Sequence, residues 1–348
     1  MTRSDERQRN ATLGTGADNA ARARSAAHTE ITLAVPPDIE SAHGGGAPRL
    51  DRFLAGCFPA ISRTECARLI ASGAVRIDGR AARKGDTLAG GETITLPRPH
   101  ERGEWTIITE PDAPLVLIHE DDALLAIEKP PGVPCHPLRP DERGTIANAL
   151  VARFPSQAAI GLPLEGGLVH RLDTGTSGVL VAARTAEAYA RLRAVWSEGS
   201  VEKVYLAIVE GRVAQAGVID AALAQHARSA RRMVLASRTT ARGTLAAHTA
   251  FEPLRAPSGS TASSVRTLLR IVIREGRRHQ IRVHLASIGH PVAGDDVYGA
   301  RASAPRLALH AHRVVFAHPI SGDRVAIESA LPRDLEALLD ATPRSADE

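Results

Sequence analysis

One carboxylate in this chain is placed where it could react: Asp173, within His170-Arg171-Leu172-Asp173-Thr174-Gly175-Thr176-Ser177-Gly178. An acid in a Gly-rich turn beside an Arg and a His can act as a nucleophile, stabilise a cationic centre or move a proton. The turn runs into Val179-Leu180-Val181-Ala182-Ala183, an apolar stretch that predicts a strand and holds the acid at a sheet edge. For Asp-Thr-Gly on its own, an Asx turn without chemistry is the commoner explanation. Glu202-Lys203-Val204-Tyr205-Leu206-Ala207 predicts a strand carrying a phenol, and Gly276-Arg277-Arg278-His279-Gln280-Ile281-Arg282-Val283-His284-Leu285 gathers cations and histidines.

The elements that must position these residues can be read along the chain. Strands are expected at 115–118 and 123–128 around the acidic turn Glu120-Asp121-Asp122, followed by the stiff loop Lys129-Pro130-Pro131-Gly132-Val133-Pro134-Cys135-His136-Pro137. Leu268 to Ile273 alternates like a strand. Between Arg266 and Arg282 six arginines face a single acid, Glu275, an electrostatic footprint suited to a polyanion. The chain has 43 Lys and Arg, of which only Lys84, Lys129 and Lys203 are lysine, so Lys129 and Lys203 read either as positions that need an ammonium or as strand-edge charges. A Pro-Gly-Ser-Thr insertion at 255–264 reads as a mobile surface loop, and 332–339 as a short helix.

Taken together, His-Arg-Leu-Asp followed by Thr-Ser-Gly, the Lys-Pro-x-Gly and His-Pro loop, Tyr205 on its strand, and Gly-Arg-x-His-Gln-Ile-Arg-x-His-Leu closely resemble the RluA-type RNA pseudouridine synthases. The resemblance extends over about residues 48–340, through the loop at 289–299 and the strand at 307–311, both read as architectural. It implies isomerisation of uridine without a cofactor. Asp173 would be nucleophile or electrostatic partner, Tyr205 would stack on the flipped base and help move a proton, and Arg282 would pair with Asp173 and keep it ionised. Arg171 would help fill the gap left by the flipped nucleotide, with His170, Lys203, Arg277 and Arg278 among the substrate-binding residues. One departure stands out: Thr174-Gly175 follows the acid where the family often carries a basic residue and an acid.

Upstream, 1–47 has the composition of a disordered arm, and 48–97 forms a small unit ahead of a Pro-rich linker at 98–114. In that unit Ser62 and Glu65 suggest a capping box. Leu50-Asp51, Ser62-Arg63 and Val75-Arg76-Ile77-Asp78-Gly79 resemble the S4 RNA-binding domain, which would put Arg63, Arg68, Arg80 and Lys84 on a phosphate-contacting face. An ordinary solvated charged surface is the competing reading. Family members with an S4-like domain mainly modify ribosomal RNA, so large-subunit ribosomal RNA is the expected target, with transfer RNA the alternative.

Composition bounds the rest. A formal charge of +4 on 348 residues is only mildly basic, and three cysteines without Cys-x-x-Cys spacing predict reduced thiols rather than disulfides or zinc. No stretch approaches a membrane span and no leader is evident, so a cytoplasmic, monomeric protein is expected. Metal binding is not expected: His279, His284, His290, His310 and His312 lack HExxH spacing and read as satisfied polar residues on strands. A serine hydrolase fails on Gly175-Thr176-Ser177-Gly178-Val179, which lacks the final glycine of Gly-x-Ser-x-Gly. The serious rival is a non-catalytic RNA-binding or ribosome-assembly protein on the same fold. The expected fold is α+β: a catalytic domain at 115–340 on a mixed, largely antiparallel sheet, the small S4-like domain before it, and a tail at 341–348.

Overall fold

The computed structural model describes residues 30–39, 47–59, 61–99, 105–236, 243–255, 265–299 and 303–340. The chain divides into two units, 1–104 and 105–348. Most of the 1–47 arm, the insertion from 256 to 264 and the tail lie outside the described residues.

The first unit joins helices α1 (Leu50–Cys57) and α2 (Arg63–Ala71) to a sheet of β1 (Glu30–Ala34), β2 (Arg76–Ile77), β3 (Arg80–Ala81) and β4 (Thr93–Pro97), in the order β1-β4-β2-β3. Leu50 and Leu54, one helical turn apart, are buried in its core with Cys66, Ile70, Ile77 and Ile94. At α2, Ser62 accepts a hydrogen bond from Glu65 N at 3.2 Å, but the Glu65 carboxylate pairs with Arg68, so only half of the expected capping box is made. The arm boundary at 47 needs correction. Glu30–Ala34 pairs antiparallel with Thr93–Pro97, and Ile31 and Leu33 pack against the core while their neighbours face out. The period-2 pattern is local and was swamped by the polar composition around it.

The second unit is built on one sheet of nine strands among the described residues. They are β5 (Leu117–Glu120), β6 (Leu124–Lys129), β7 (Ser177–Ala183), β8 (Glu202–Glu210), β9 (Gly217–Asp220), β12 (His248–Arg255), β13 (Arg266–Ile273), β14 (Leu309–Ala317) and β15 (Arg324–Glu328), with β10 (Leu223–Gln225) and β11 (Met233–Leu235) forming a separate hairpin. The order is β5-β6-β7-β14-β8-β13-β12-β9, with β15 also on β14. Every pairing is antiparallel except β7 with β14. Helices α3 (Ile146–Arg153), α4 (Ala186–Glu198), α5 (Gln280–Ser287) and α6 (Arg333–Asp340) complete the α+β fold.

All seven residues of β7 are buried, because both faces are covered. Leu180 and Ala182 pack with Ile146 and Leu150 of α3, while Val179, Val181 and Ala183 pack with Ala188 and Leu192 of α4. The linker expected at 98–114 is also shorter than its composition suggests. Trp105 and Ile107 join the core with α3, and Asn148 Nδ2 donates to Ile108 O at 2.7 Å.

Candidate active site

Asp173 lies four residues before β7, and main-chain contacts fix its loop. The turn closes through Thr176 N donating to Asp173 O at 3.0 Å, so the backbone makes the turn and the carboxylate is released from the Asx role. Lys129, fully buried at the end of β6, donates from Nζ to Pro130 O at 2.9 Å and to Thr174 O at 3.0 Å. Burial pushes the Lys129 pKa down to about 8, partly offset by nearby Cys135 and Asp173. Leu172 N donates to Cys135 Sγ at 3.2 Å on the other side. The departure at Thr174-Gly175 therefore leaves the loop anchored: the Thr174 carbonyl does the anchoring, and a Cβ at 175 would press on Leu307. Gly178, at the start of β7, sits at φ +111, and a side chain there would put its Cβ 2.2 Å from Ala311 O on β14, so only glycine lets the two strands lie this close where the Asp173 loop joins the sheet.

The β14 register brings the second residue alongside. Ala311 pairs with Gly178 on one side and with Tyr205 on the other. Tyr205 lines the same cavity as Asp173, and burial, reinforced by that carboxylate, raises its pKa, so the phenol keeps its proton.

The third residue arrives on α5. Arg282 Nη1 donates to Asp173 Oδ2 at 3.2 Å, the pairing expected from the sequence. Its remaining edge is held by an acid that sequence reasoning had treated as architectural: Nε donates to Asp295 Oδ2 at 2.7 Å and Nη2 to Asp295 Oδ1 at 2.8 Å. Asp295 in turn accepts from Val297 N at 2.9 Å and Tyr298 N at 3.0 Å. Burial alone would lower the Arg282 pKa, but Asp295 and Asp173 outweigh it and hold the guanidinium charged. Burial would likewise raise the Asp295 pKa, yet Arg282 and the two amides keep it below the ordinary value. Asp295 is sealed, whereas the Asp173 side chain is 20% exposed and open to the cleft. The only sequence signal for Asp295 was an acid in a Gly-Asp-Asp loop, 13 residues past Arg282, and spacing between a helix and a loop says nothing about contact.

The segment before Arg282 is braced by polar side chains. Lys203 Nζ donates to Arg274 O at 2.9 Å and Glu275 O at 2.8 Å, and Gln280 Oε1 accepts from Gly276 N at 3.1 Å and Arg277 N at 2.9 Å. Together the elements enclose a cavity of about 140 Å³ lined by Arg171, Asp173, Tyr205, His279 and Arg282. It adjoins a groove of about 790 Å³ that Arg231, Arg278 and Arg306 also line. A carboxylate, a protonated phenol and a fixed cation at the floor of a basic groove can hold a planar base beside a sugar and stabilise charge there.

The remaining predicted residues divide. Arg171 is exposed, lines both spaces and makes no side-chain hydrogen bond or ion pair among the described residues. Arg277 Nε reaches Ala246 O at 3.2 Å and Arg278 Nη1 reaches Ala230 O at 2.8 Å, each leaving donors for a ligand. His170 and Lys203 are committed elsewhere. His170 Nε2 accepts from Val181 N at 3.0 Å and its ring stacks on Trp196, with a pKa pushed down to about 3 by burial first and Lys203 second. The Lys203 ammonium serves the backbone carbonyls named above, so both brace the site, and both also line a groove of about 520 Å³ with Arg171, Arg193 and Tyr205. In the first unit, Arg63 Nε pairs with Asp51 at 2.8 Å, Arg80 Nη1 with Asp86 at 2.7 Å and Arg68 with Glu65. Lys84 is exposed.

Three histidines expected on strands lie elsewhere: the Gly-Arg-x-His-Gln-Ile-Arg segment turns into a helix, with His279 the N-cap of α5 and His284 within it, and His290 lies in the loop that follows. His284 and His310 are fully buried with both ring nitrogens at hydrogen-bond distance from partners. Among the described residues no group of three or more His, Cys, Asp or Glu could hold a metal ion, and no helix is long and apolar enough to cross a membrane.

Residues 123–287 match the RNA pseudouridylate synthase family and residues 48–94 match the S4 domain. A ribosomal large subunit pseudouridine synthase D of Xanthomonas campestris is 37% identical over 328 residues, spanning 90% of this chain and 93% of that protein. The chain belongs to the RNA pseudouridylate synthase family. A protein of the same description from Pseudomonas aeruginosa is 34% identical over 310 residues, 84% of this chain and 92% of that one. Among solved structures, human RNA Pseudouridylate Synthase Domain Containing 1 superposes with a TM-score of 0.53 at 25% identity, covering 66% of this chain and 90% of its own. As a member of this family the chain is an isomerase that converts uridine in RNA to pseudouridine, and it carries an S4 RNA-binding domain.

Proposed function

We propose that the protein isomerises specific uridines of large-subunit ribosomal RNA, with Asp173, Tyr205 and Arg282 as its catalytic residues. The observation that carries the site assignment is the Asp173 carboxylate, open to a basic groove, 3.2 Å from Arg282 and in one cavity with Tyr205. The reaction breaks N1–C1′, turns the uracil within the site and joins C5 to C1′; the C5 proton is lost and N1 gains one, so no atom is added overall. Asp173 is the group placed to meet the electron-poor C1′, by attack or by charge, while Arg282 aims it. Tyr205 offers its ring to the extruded base. Arg171, Arg277 and Arg278 contact the phosphates around the target. The names of the bacterial relatives support the ribosomal target. A ribosomal RNA substrate also supports a cytoplasmic location.

The test is mass-spectrometric mapping of pseudouridine, after chemical labelling, in total RNA from cells with the protein, without it, and with Asp173→Asn. The expected result is loss of modification at the same large-subunit uridines in both deficient strains. Unchanged RNA in the presence of a protein that still binds RNA would instead support the non-catalytic reading, and losses confined to transfer RNA would move the target.

A further inference from the structure

His279 is expected from the sequence to be a satisfied polar residue, yet it lines the catalytic cavity and the adjoining groove. Its backbone is left-handed, at φ 55 and ψ 18, an uncommon conformation for a side chain of this size and one that tends to persist where the surroundings impose it. The surroundings also fix the ring. Met233 N donates to Tyr298 Oη at 2.7 Å, and Tyr298 Oη lies 2.9 Å from His279 Nδ1. Because Tyr298 Oη already accepts from Met233 N, its own hydrogen is free to go to His279 Nδ1, the arrangement that puts the imidazole proton on Nε2. Tyr298 is itself clamped: the Arg282 and Arg232 guanidinium carbons lie 5.4 and 5.6 Å from its ring centre, and the His279 ring meets it edge-on at 5.6 Å.

Nε2 is 3.8 Å from Asp173 Oδ2, too far for a hydrogen bond, and has no hydrogen-bond partner among the described residues. Burial, the largest influence, lowers the His279 pKa despite the neighbouring Asp173, so the ring is neutral and its Nε2–H is a donor without charge. An oriented, unengaged donor beside the reacting carboxylate suits the substrate more than the protein. When N1–C1′ breaks, its electron pair stays on the uracil ring and spreads onto the carbonyl oxygens.

We propose that His279 is a further catalytic residue of this enzyme: its Nε2–H, oriented by Tyr298, donates a hydrogen bond to a carbonyl oxygen of the target uracil as the ring detaches. No proton is transferred in this role. The proposal rests on the reading of Asp173 given above.

The experiment measures single-turnover pseudouridine formation on unmodified large-subunit ribosomal RNA, together with RNA affinity and melting temperature. His279→Asn tolerates left-handed backbone and can keep an acceptor near the Nδ1 position, but has no atom where Nε2 lies; His279→Gln carries an amide donor out to that point. The Asn variant is expected to slow the chemical step about 100-fold, the typical effect of losing one donor to developing charge, with RNA affinity and melting temperature near wild type. Gln is expected to recover about 10-fold, and Tyr298→Phe to slow the step less than Asn does. An Asn variant as fast as wild type, or one whose loss lies wholly in RNA affinity, overturns the proposal, as does Gln performing no better than Asn. A wild-type protein that forms no pseudouridine in an RNA it binds overturns the functional reading first and this proposal with it.

Discussion

The two basic surfaces of this protein manage their charge differently. In the small unit Arg63, Arg68 and Arg80 each face a carboxylate of their own unit, so their fields are cancelled where they arise. In the cleft Arg277 and Arg278 are aimed by neutral carbonyls, and Arg171 makes no side-chain hydrogen bond or ion pair among the described residues. A carbonyl fixes a guanidinium's direction without neutralising it. The difference teaches that a mildly basic chain can carry an attractive cleft, because attraction depends on which cations are left uncompensated.

The sharpest break of this comparison separates chemistry from attraction within the cleft. Asp173→Asn is expected to lower turnover by about 10³-fold or more while RNA affinity, measured by filter binding, changes by less than about 3-fold. Arg282, unlike Arg171, Arg277 and Arg278, is a compensated cation of the cleft, and Asp295 is the main reason. Asp295→Asn, which leaves a buried cation short of its anchor, is expected to cost about 3 kcal/mol in urea unfolding and to slow turnover as Asp173 loses its aim. A stability change near zero would mean that Asp173 and Asp296, whose Oδ1 lies 3.6 Å from Arg282 Nη2, can hold the arginine between them.

Of similar size is a response to acid that distinguishes the units, since the described residues of the small unit contain no histidine. Burial is the main reason the His310 pKa is lowered from 6.5 to about 4, so the unfolded chain takes up a proton that the folded state refuses. Its contribution is complete above pH 6.5 and is lost as pH falls toward 4, up to about 3 kcal/mol, and it belongs to the catalytic unit. Urea titrations at pH 7 and pH 4.5 should show the catalytic unit losing more than the small one; equal losses would assign the acid response to surface carboxylates.

Smaller effects compare the cations directly. Arg171→Ala is expected to reduce kcat/KM about 10-fold and flatten its salt dependence, whereas Arg63→Ala should stay within about 2-fold. The smallest effect runs the other way: Asp51→Asn, which frees Arg49 and Arg63, is expected to tighten RNA binding about 2-fold at low salt.

What the sequence disclosed follows the same physical lines. Asp173, Tyr205 and Arg282 could be proposed together because each sits in a motif of several residues, and the structure brings all three to one cavity; β7 was legible because a run of small and branched apolar side chains has few other uses. The Asp295 anchor was not legible, since it depends on how a loop folds back on α5. His279 was misjudged through its element: read on a strand, the segment offers it no special backbone, whereas as the N-cap of a helix it takes a left-handed conformation facing Asp173. From the sequence His170 and Lys203 read as substrate-binding, and the structure shows that His170 Nε2 and the Lys203 ammonium are each already engaged with main-chain groups, which spacing in a sequence does not reveal. The two lysines in family-like motifs do use their ammonium groups, each on a pair of main-chain carbonyls, a choice that composition could raise but not decide.

The contact of Gly178 with Ala311 carries a consequence for how such an enzyme can change over time. The separation between the loop that bears Asp173 and the strand that bears Tyr205 is set there by backbone against backbone, with no side chain between. Substitutions in the core behind the sheet leave this contact itself untouched, whereas a side chain at Gly178 would push β7 from β14 and move Asp173 relative to Tyr205. Much of the chain is free to drift around a rivet one residue wide.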